Sequence, residues 1–270
     1  FLDELTAAAP QLQPTVYGLL QERRVGRHAL PDAVFIVAAG NMVEDGAVAY
    51  EMGTALSDRL IHLHLRADAG DWLQNYAAPR ALAPAVTAFL RGRPDLLDTT
   101  EESLRRGETV ACTPRSWERA SGILAAIPDR KARGTMLAGV LGEAVAAEFA
   151  VIADDVDASV HVADMLEGDA NSRLPLYPDT LHGLNALVFG LVGAADRSTA
   201  PTVIETMEEI AGLAARREEP ALKALPLAEL RAFGFEMLMA KALREGFADA
   251  FAASPAYARY AEERRAAGLD

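Results

Sequence analysis

From Asp68 onward, apolar residues recur at helical spacing almost to the end of the chain. A chain patterned this way must bury one face of helix after helix. Helices are expected over residues 72–77, 84–91, 114–127, 132–153, 180–195, 201–217, 227–252 and 255–267. Thr113-Pro114 is a start signal, with Thr as N-cap and Pro in the first turn, where its missing N–H costs nothing. The 132–153 stretch is expected to break near Gly139 or Gly142. The acidic run Asp154-Asp155-Val156-Asp157 reads as a turn, and residues 168–179, with Pro175 and Pro178, read as a linker.

The first 66 residues follow another pattern. Leu12, Val16, Leu19 and Leu20 suit a helix, with Pro14 in its first turn. Residues 23–30 centre on Gly26 and predict a short hairpin. Residues 33–39, Ala-Val-Phe-Ile-Val-Ala-Ala, form a continuous apolar run of the kind buried on both faces of a parallel sheet. It ends at Gly40-Asn41. A short helix is expected over 48–58, and Ile61-His62-Leu63-His64-Leu65 reads as a further strand. The predicted fold class is therefore α/β followed by all-α.

Composition narrows the function. A net charge of −13 argues against a general grip on nucleic acid, which needs a basic face. The single cysteine, Cys112, excludes an internal disulfide and fits a reducing, cytoplasmic compartment; it reads as a small buried residue. No apolar run approaches the length of a membrane span. His62 and His64 alternate on one strand with no third ligand nearby, so they read as ordinary imidazoles rather than a metal site. Trp72 and Trp117 read as core. Glu44-Asp45 reads as a solvated turn. Arg23, Arg24 and Arg27 sit on the expected hairpin, either as a solvated tip or as a surface that touches a client.

Four features carry chemistry by their order. Phe1-Leu2-Asp3-Glu4-Leu5-Thr6 delivers two adjacent carboxylates at the end of an apolar segment; one can hold Mg²⁺ and the next can orient the attacking water. Asn41 stands at the end of the 33–39 run. Arg59 lies in Leu56-Ser57-Asp58-Arg59-Leu60, and Arg115 in Thr113-Pro114-Arg115-Ser116-Trp117. No G-x-x-x-x-G-K-[ST] loop occurs in the chain.

With Gln21-Glu-Arg-Arg-Val-Gly-Arg and Ala38-Ala-Gly-Asn between them, these segments resemble the AAA+ ATPases, most closely the MoxR-like group, over about half the chain. The resemblance implies a tail of a P-loop AAA+ nucleotide-binding domain at 1–66, with parallel sheet strands. It implies a helical lid at 67–155; residues 156–270, outside the resemblance, are expected to form a helical C-terminal extension. It implies ATP and Mg²⁺ as cofactors. Asp3 would hold the metal, Glu4 would be the catalytic carboxylate, and Asn41 the sensor of water or γ-phosphate. Arg59 would be an arginine finger reaching a neighbouring subunit, and Arg115 a lid residue contacting phosphate. It further implies a homo-oligomeric ring, usually a hexamer, with chaperone-like action on a protein client such as a von Willebrand factor A domain protein. On this reading the segment belongs to a longer ATPase and does not hydrolyse ATP alone. Two competing readings are a non-catalytic AAA+-like scaffold and an acidic helical interaction module. The apolar stripe from Leu227 to Met239, with Phe235, Met237 and Met239, is expected either to dock a partner or to pack as core.

Overall fold

The computed structural model describes residues 1–43, 46–47 and 49–268. Glu44, Asp45 and Val48, on which a turn and a helix start were expected, lie outside the described residues. In chain order the helices are α1 (Gln13–Tyr17), α2 (Thr54–Ser57), α3 (Ala69–Trp72), α4 (Pro84–Gly92), α5 (Thr100–Arg106), α6 (Pro114–Ala126), α7 (Arg130–Leu141), α8 (Glu143–Ser159) and α9 (Val162–Glu167). They continue as α10 (Ala170–Arg173), α11 (Leu181–Ala194), α12 (Ala200–Ile210), α13 (Leu213–Arg217), α14 (Pro220–Lys223), α15 (Leu227–Glu245), α16 (Asp249–Ala252) and α17 (Pro255–Ala266). Two strands, β1 (Arg24–Val25) and β2 (His28–Ala29), form an antiparallel hairpin. The chain divides into two compact units: Phe1–Arg66 with Thr100–Thr109, and Ala67–Thr99 with Val110–Asp270.

The second unit holds the core. Helix α11 is apolar all round, and nine of its 14 residues are buried, so it takes the centre. Helices α4, α8, α12 and α15 pack against it. Phe89, Trp117 and Phe149 form a cluster with ring centroids 5.3–5.4 Å apart. The Trp117 indole N–H donates to the Leu96 carbonyl at 2.7 Å, so the ring is buried without stranding its polar atom. Helix α6 starts where Thr113-Pro114 predicts. Thr113 Oγ1 accepts the Ser116 N–H at 3.1 Å and Ser116 Oγ accepts the Thr113 N–H at 2.7 Å, a reciprocal cap. The helix expected over 132–153 breaks at Gly142, whose φ of 82° suits only glycine without strain.

Two expectations for this unit are corrected and one choice is decided. Asp154, Asp155 and Asp157 are not a turn but lie inside α8, because side chains from other helices pair with them. Arg133 pairs with Asp154 and Asp157 at 2.9 Å each, and His182 meets Asp155 at 2.7 Å. Residues 168–179 are not a free linker: Arg173 is 2% exposed and Tyr177 is buried, both tied to α12. Of the two readings of the 227–239 stripe, the structure shows the packed one. Leu227, Leu230, Phe235, Met237 and Leu238 are buried, and Phe235 stacks on Tyr260 of α17 at 4.4 Å.

The first unit overturns the expected fold class. Among the described residues there is no parallel sheet and no α/β layer. The hairpin is where Gly26 predicts it. Residues 33–39 do not form a strand: only Ala38 makes an isolated parallel bridge, to Leu2. The 61–65 segment pairs with nothing among the described residues, leaving Ile61 91% and Leu65 93% exposed. Phe35 is 86% exposed. The physical reason is a missing environment. A doubly buried strand needs neighbours for its N–H and C=O groups and helices over both faces. In this unit Leu56 is the only buried apolar side chain among the described residues. Apolar character without partners yields extended chain, not sheet. The expected 48–58 helix is likewise reduced to Thr54–Ser57.

Candidate functional site

Glu4 and Asn41 meet. The Asn41 Nδ2 donates to Glu4 Oε2 at 3.2 Å, across 37 residues of chain. The backbone brings them together. Leu2 N–H donates to the Val37 carbonyl and Ala39 N–H to the Leu2 carbonyl, both at 2.9 Å; Leu5 N–H donates to the Ala39 carbonyl at 2.8 Å. These bonds run Leu2–Leu5 alongside Val37–Ala39, so both acids and the amide leave the same end. Gly40 lets the two segments close. A Cβ there would lie 2.4 Å from Thr6 Oγ1 and 3.0 Å from the Thr6 N. Glu4 itself adopts a left-handed backbone, φ 53° and ψ 39°, and its N–H donates to Asp3 Oδ1 at 3.1 Å. A non-glycine residue held left-handed stores strain, a feature that concentrates at functional sites.

Asp3 and Glu4 are exposed and Asn41 is half-buried. Asp3 Oδ2 has no partner among the described residues. A hard carboxylate oxygen facing solvent suits Mg²⁺, which keeps most of its waters and takes one or two protein carboxylates. Among the described residues no group of three His, Cys, Asp or Glu is placed to hold a metal by itself. His62 Nε2 lies 3.0 Å from both Ser57 Oγ and the Ser57 carbonyl.

Arg59 is in the same unit but engaged elsewhere. It follows α2, and its guanidinium turns onto the Gly18–Glu22 π-turn. Nε and Nη2 both donate to Gln21 Oε1, at 2.9 and 2.8 Å, while Nη1 donates to the Ala55 carbonyl. The Tyr17 ring lies 5.7 Å from the guanidinium carbon. Tyr17 and Gln21 also line a cavity of about 440 Å³ with Pro14, Glu22 and Arg24. No carboxylate pairs with Arg59 among the described residues. Arg115 belongs to the second unit, exposed in the first turn of α6, with no hydrogen-bond or ion-pair partner among the described residues. Just before the hairpin, Arg23 is tied to its own chain: its Nη2 donates to the Pro31 carbonyl at 2.9 Å and the Val34 carbonyl at 2.7 Å.

Sequence reasoning missed Thr6, Tyr17 and Gln21. Gln21 opens a stretch singled out for its pattern, but no spacing rule says that its amide turns towards a residue 38 positions away. A polar cavity of the second unit, about 930 Å³, was also unforeseen. Arg173, Glu209, Glu208 and Arg231 line it, and its deeper charges are already paired with one another. No helix among the described residues is long and apolar enough to cross a membrane. Compared with protein-family models, curated proteins and solved structures, the chain matches none.

Proposed function

We propose that the first unit carries the hydrolytic residues of an ATP-hydrolysing site like that of the MoxR-like AAA+ ATPases. On this proposal the protein uses ATP and Mg²⁺ to remodel or assemble a protein partner. The observation that carries the reading is the 3.2 Å contact between Asn41 and Glu4, beside the open carboxylate of Asp3. The reading concerns a site, not a fold; such sites recur on unrelated frameworks. Mg²⁺ supplies charge stabilisation to the phosphate oxygens when bound. Asp3 would hold it. Glu4 would accept the hydrogen bond of the attacking water and polarise it. Asn41, donating through Nδ2, would fix the carboxylate and leave its own Oδ1 to accept from that water. Arg59 would offset negative charge developing at the site of a neighbouring copy.

The test is Glu4→Gln in the full-length protein. Asp3 still holds the metal and the amide keeps the shape, so ATP binding should persist while turnover falls by a factor of ~10²–10⁴. Unchanged turnover with unchanged binding would remove Glu4 from the reaction. The competing reading, an acidic helical interaction module, is favoured by the confinement of the packed core to the second unit. It requires ATP to have no effect on any variant.

A further inference from the structure

The engagement of Arg59 by Gln21 suggests control of this site. Arg59 presents its Nε–Nη2 edge, the edge that fits two oxygens of a carboxylate or phosphate side by side. Here both donors converge on one neutral oxygen, Gln21 Oε1, at 2.9 and 2.8 Å. The opposite edge is held by the Ala55 carbonyl, and Tyr17 lies 5.7 Å from the guanidinium carbon. Every partner of this cation among the described residues is uncharged. A neutral amide oxygen carries no net charge, so it attracts the guanidinium less than a phosphate or carboxylate at the same distance. It can therefore keep the edge ordered yet yield it to a phosphate. The carrier is also unusual. Gln21 sits on a π-turn, Gly18–Glu22, closed by Arg23 in a left-handed backbone at φ 55°. Such turns aim a side chain off the helical path and recur at functional sites.

We infer that Gln21 is a positioning residue: it parks Arg59 on its own unit and is displaced when phosphate oxygens take the same edge of the guanidinium. This rests on the reading of Arg59 as a phosphate-facing arginine. Two states follow. In the parked state the fork is satisfied within the unit; in the engaged state it is vacated by Gln21 and faces anion. Gln21 thus sets the threshold for engagement. A residue without an acceptor should lower the threshold. A carboxylate should raise it, because it holds the same fork with charge.

The experiment has two arms. The first needs no activity: hydrogen exchange of the Arg59 Nε–H by ¹⁵N NMR on this chain, the signal being assigned by its loss in Arg59→Lys. Exchange should be slow in the wild type, several-fold faster in Gln21→Leu and slower still in Gln21→Glu. Equal exchange in all three overturns the latch. The second arm is ATP turnover by the full-length protein. Gln21→Leu should raise turnover, or lower the ATP concentration giving half-maximal rate, by roughly two- to fivefold. Gln21→Glu should lower turnover by about fivefold. A merely structural glutamine would lower it in both variants, and that result overturns the inference. If the wild type shows no ATP turnover while the exchange arm behaves as expected, the ATPase reading itself is what fails. In that case the control role falls with it, and the contact is left as a local hydrogen bond.

Discussion

Gly40 faces Thr6 so closely that a Cβ at position 40 would stand 2.4 Å from Thr6 Oγ1 and 2.9 Å from its Cγ2. The backbone N of Thr6 is 3.0 Å away, so rotating the threonine does not clear the space. The absence of a side chain at this one position lets the segment carrying Asn41 lie against the segment carrying Asp3 and Glu4.

Gly40→Ala should therefore separate the pair without touching either residue. The Asn41 side-chain amide resonance should move towards that of a solvated amide. In the full-length protein, ATP turnover should drop at least about tenfold, the scale at which small misplacements of catalytic groups are felt. Tryptophan emission should stay unchanged, since Trp72 and Trp117 are core residues of the second unit. Retention of the wild-type amide shift would show that the approach of Thr6 does not control the pair.

Arg173 and Glu209 form the most deeply placed ion pair, at 2.6 Å, with Arg173 also donating to the Gly168 carbonyl at 2.7 Å and the Tyr177 hydroxyl to Glu209 at 2.8 Å. Burial, with the Glu209 charge beside it, pushes the Tyr177 phenol well above its ordinary range. Glu209→Ala leaves the buried Arg173 guanidinium only the exposed Glu205 carboxylate, at 3.5 Å, and should cost about 3 kcal/mol in urea denaturation. The double variant Arg173→Met/Glu209→Leu should cost clearly less, because no charge is stranded. Equal losses for both would assign the effect to packing alone.

Cys112 is fully buried, and burial pushes its thiol up to about 11. Its Sγ donates weakly to the Leu141 carbonyl at 3.4 Å. The thiolate is the reactive form, so the native protein should resist a thiol-reactive chromogen at pH 8. Full labelling should follow in denaturant. Rapid stoichiometric labelling of the native chain would contradict the closed packing around this residue.

Asp196 opens the turn into α12. The Ser198 hydroxyl, the Thr199 N–H and the Ser198 N–H all donate to its Oδ1, and these bonds lower its carboxyl from 3.8 to about 2. The folded value lies below the unfolded one, so the folded chain binds fewer protons between the two. The contribution is complete above about pH 4 and is lost as pH falls towards 2. Asp196→Ala should be less stable than the wild type at pH 6, and the gap should close between pH 4 and 2. Denaturation midpoints across that range check the sign. A gap that stays constant would detach the effect from ionisation.

Much of the second unit was legible in the sequence. Thr113-Pro114 placed the start of α6, the apolar spacing placed α4, α11, α12 and α15, and Trp117 was core as its helical position required. Helical hydrogen bonds close within one segment, so a local pattern suffices to specify them. The order of Asp3, Glu4, Asn41 and Arg59 was legible too, but not their relationships. The backbone bonds between Leu2–Leu5 and Val37–Ala39 decided that Glu4 meets Asn41, and a π-turn decided that Arg59 rests on Gln21. The apolar runs at 33–39 and 61–65 misled for the same reason. A strand is completed by partners from elsewhere, and alternation or apolarity only qualifies a segment to be one. Likewise Asp154, Asp155 and Asp157 read as a turn, but Arg133 and His182, from other helices, supply the partners that let α8 continue. The sequence by itself determined where several of the longer helices begin and the inventory of chemical groups, because both depend on neighbours along the chain. Tertiary structure alone decided which groups face one another, because that depends on neighbours in space.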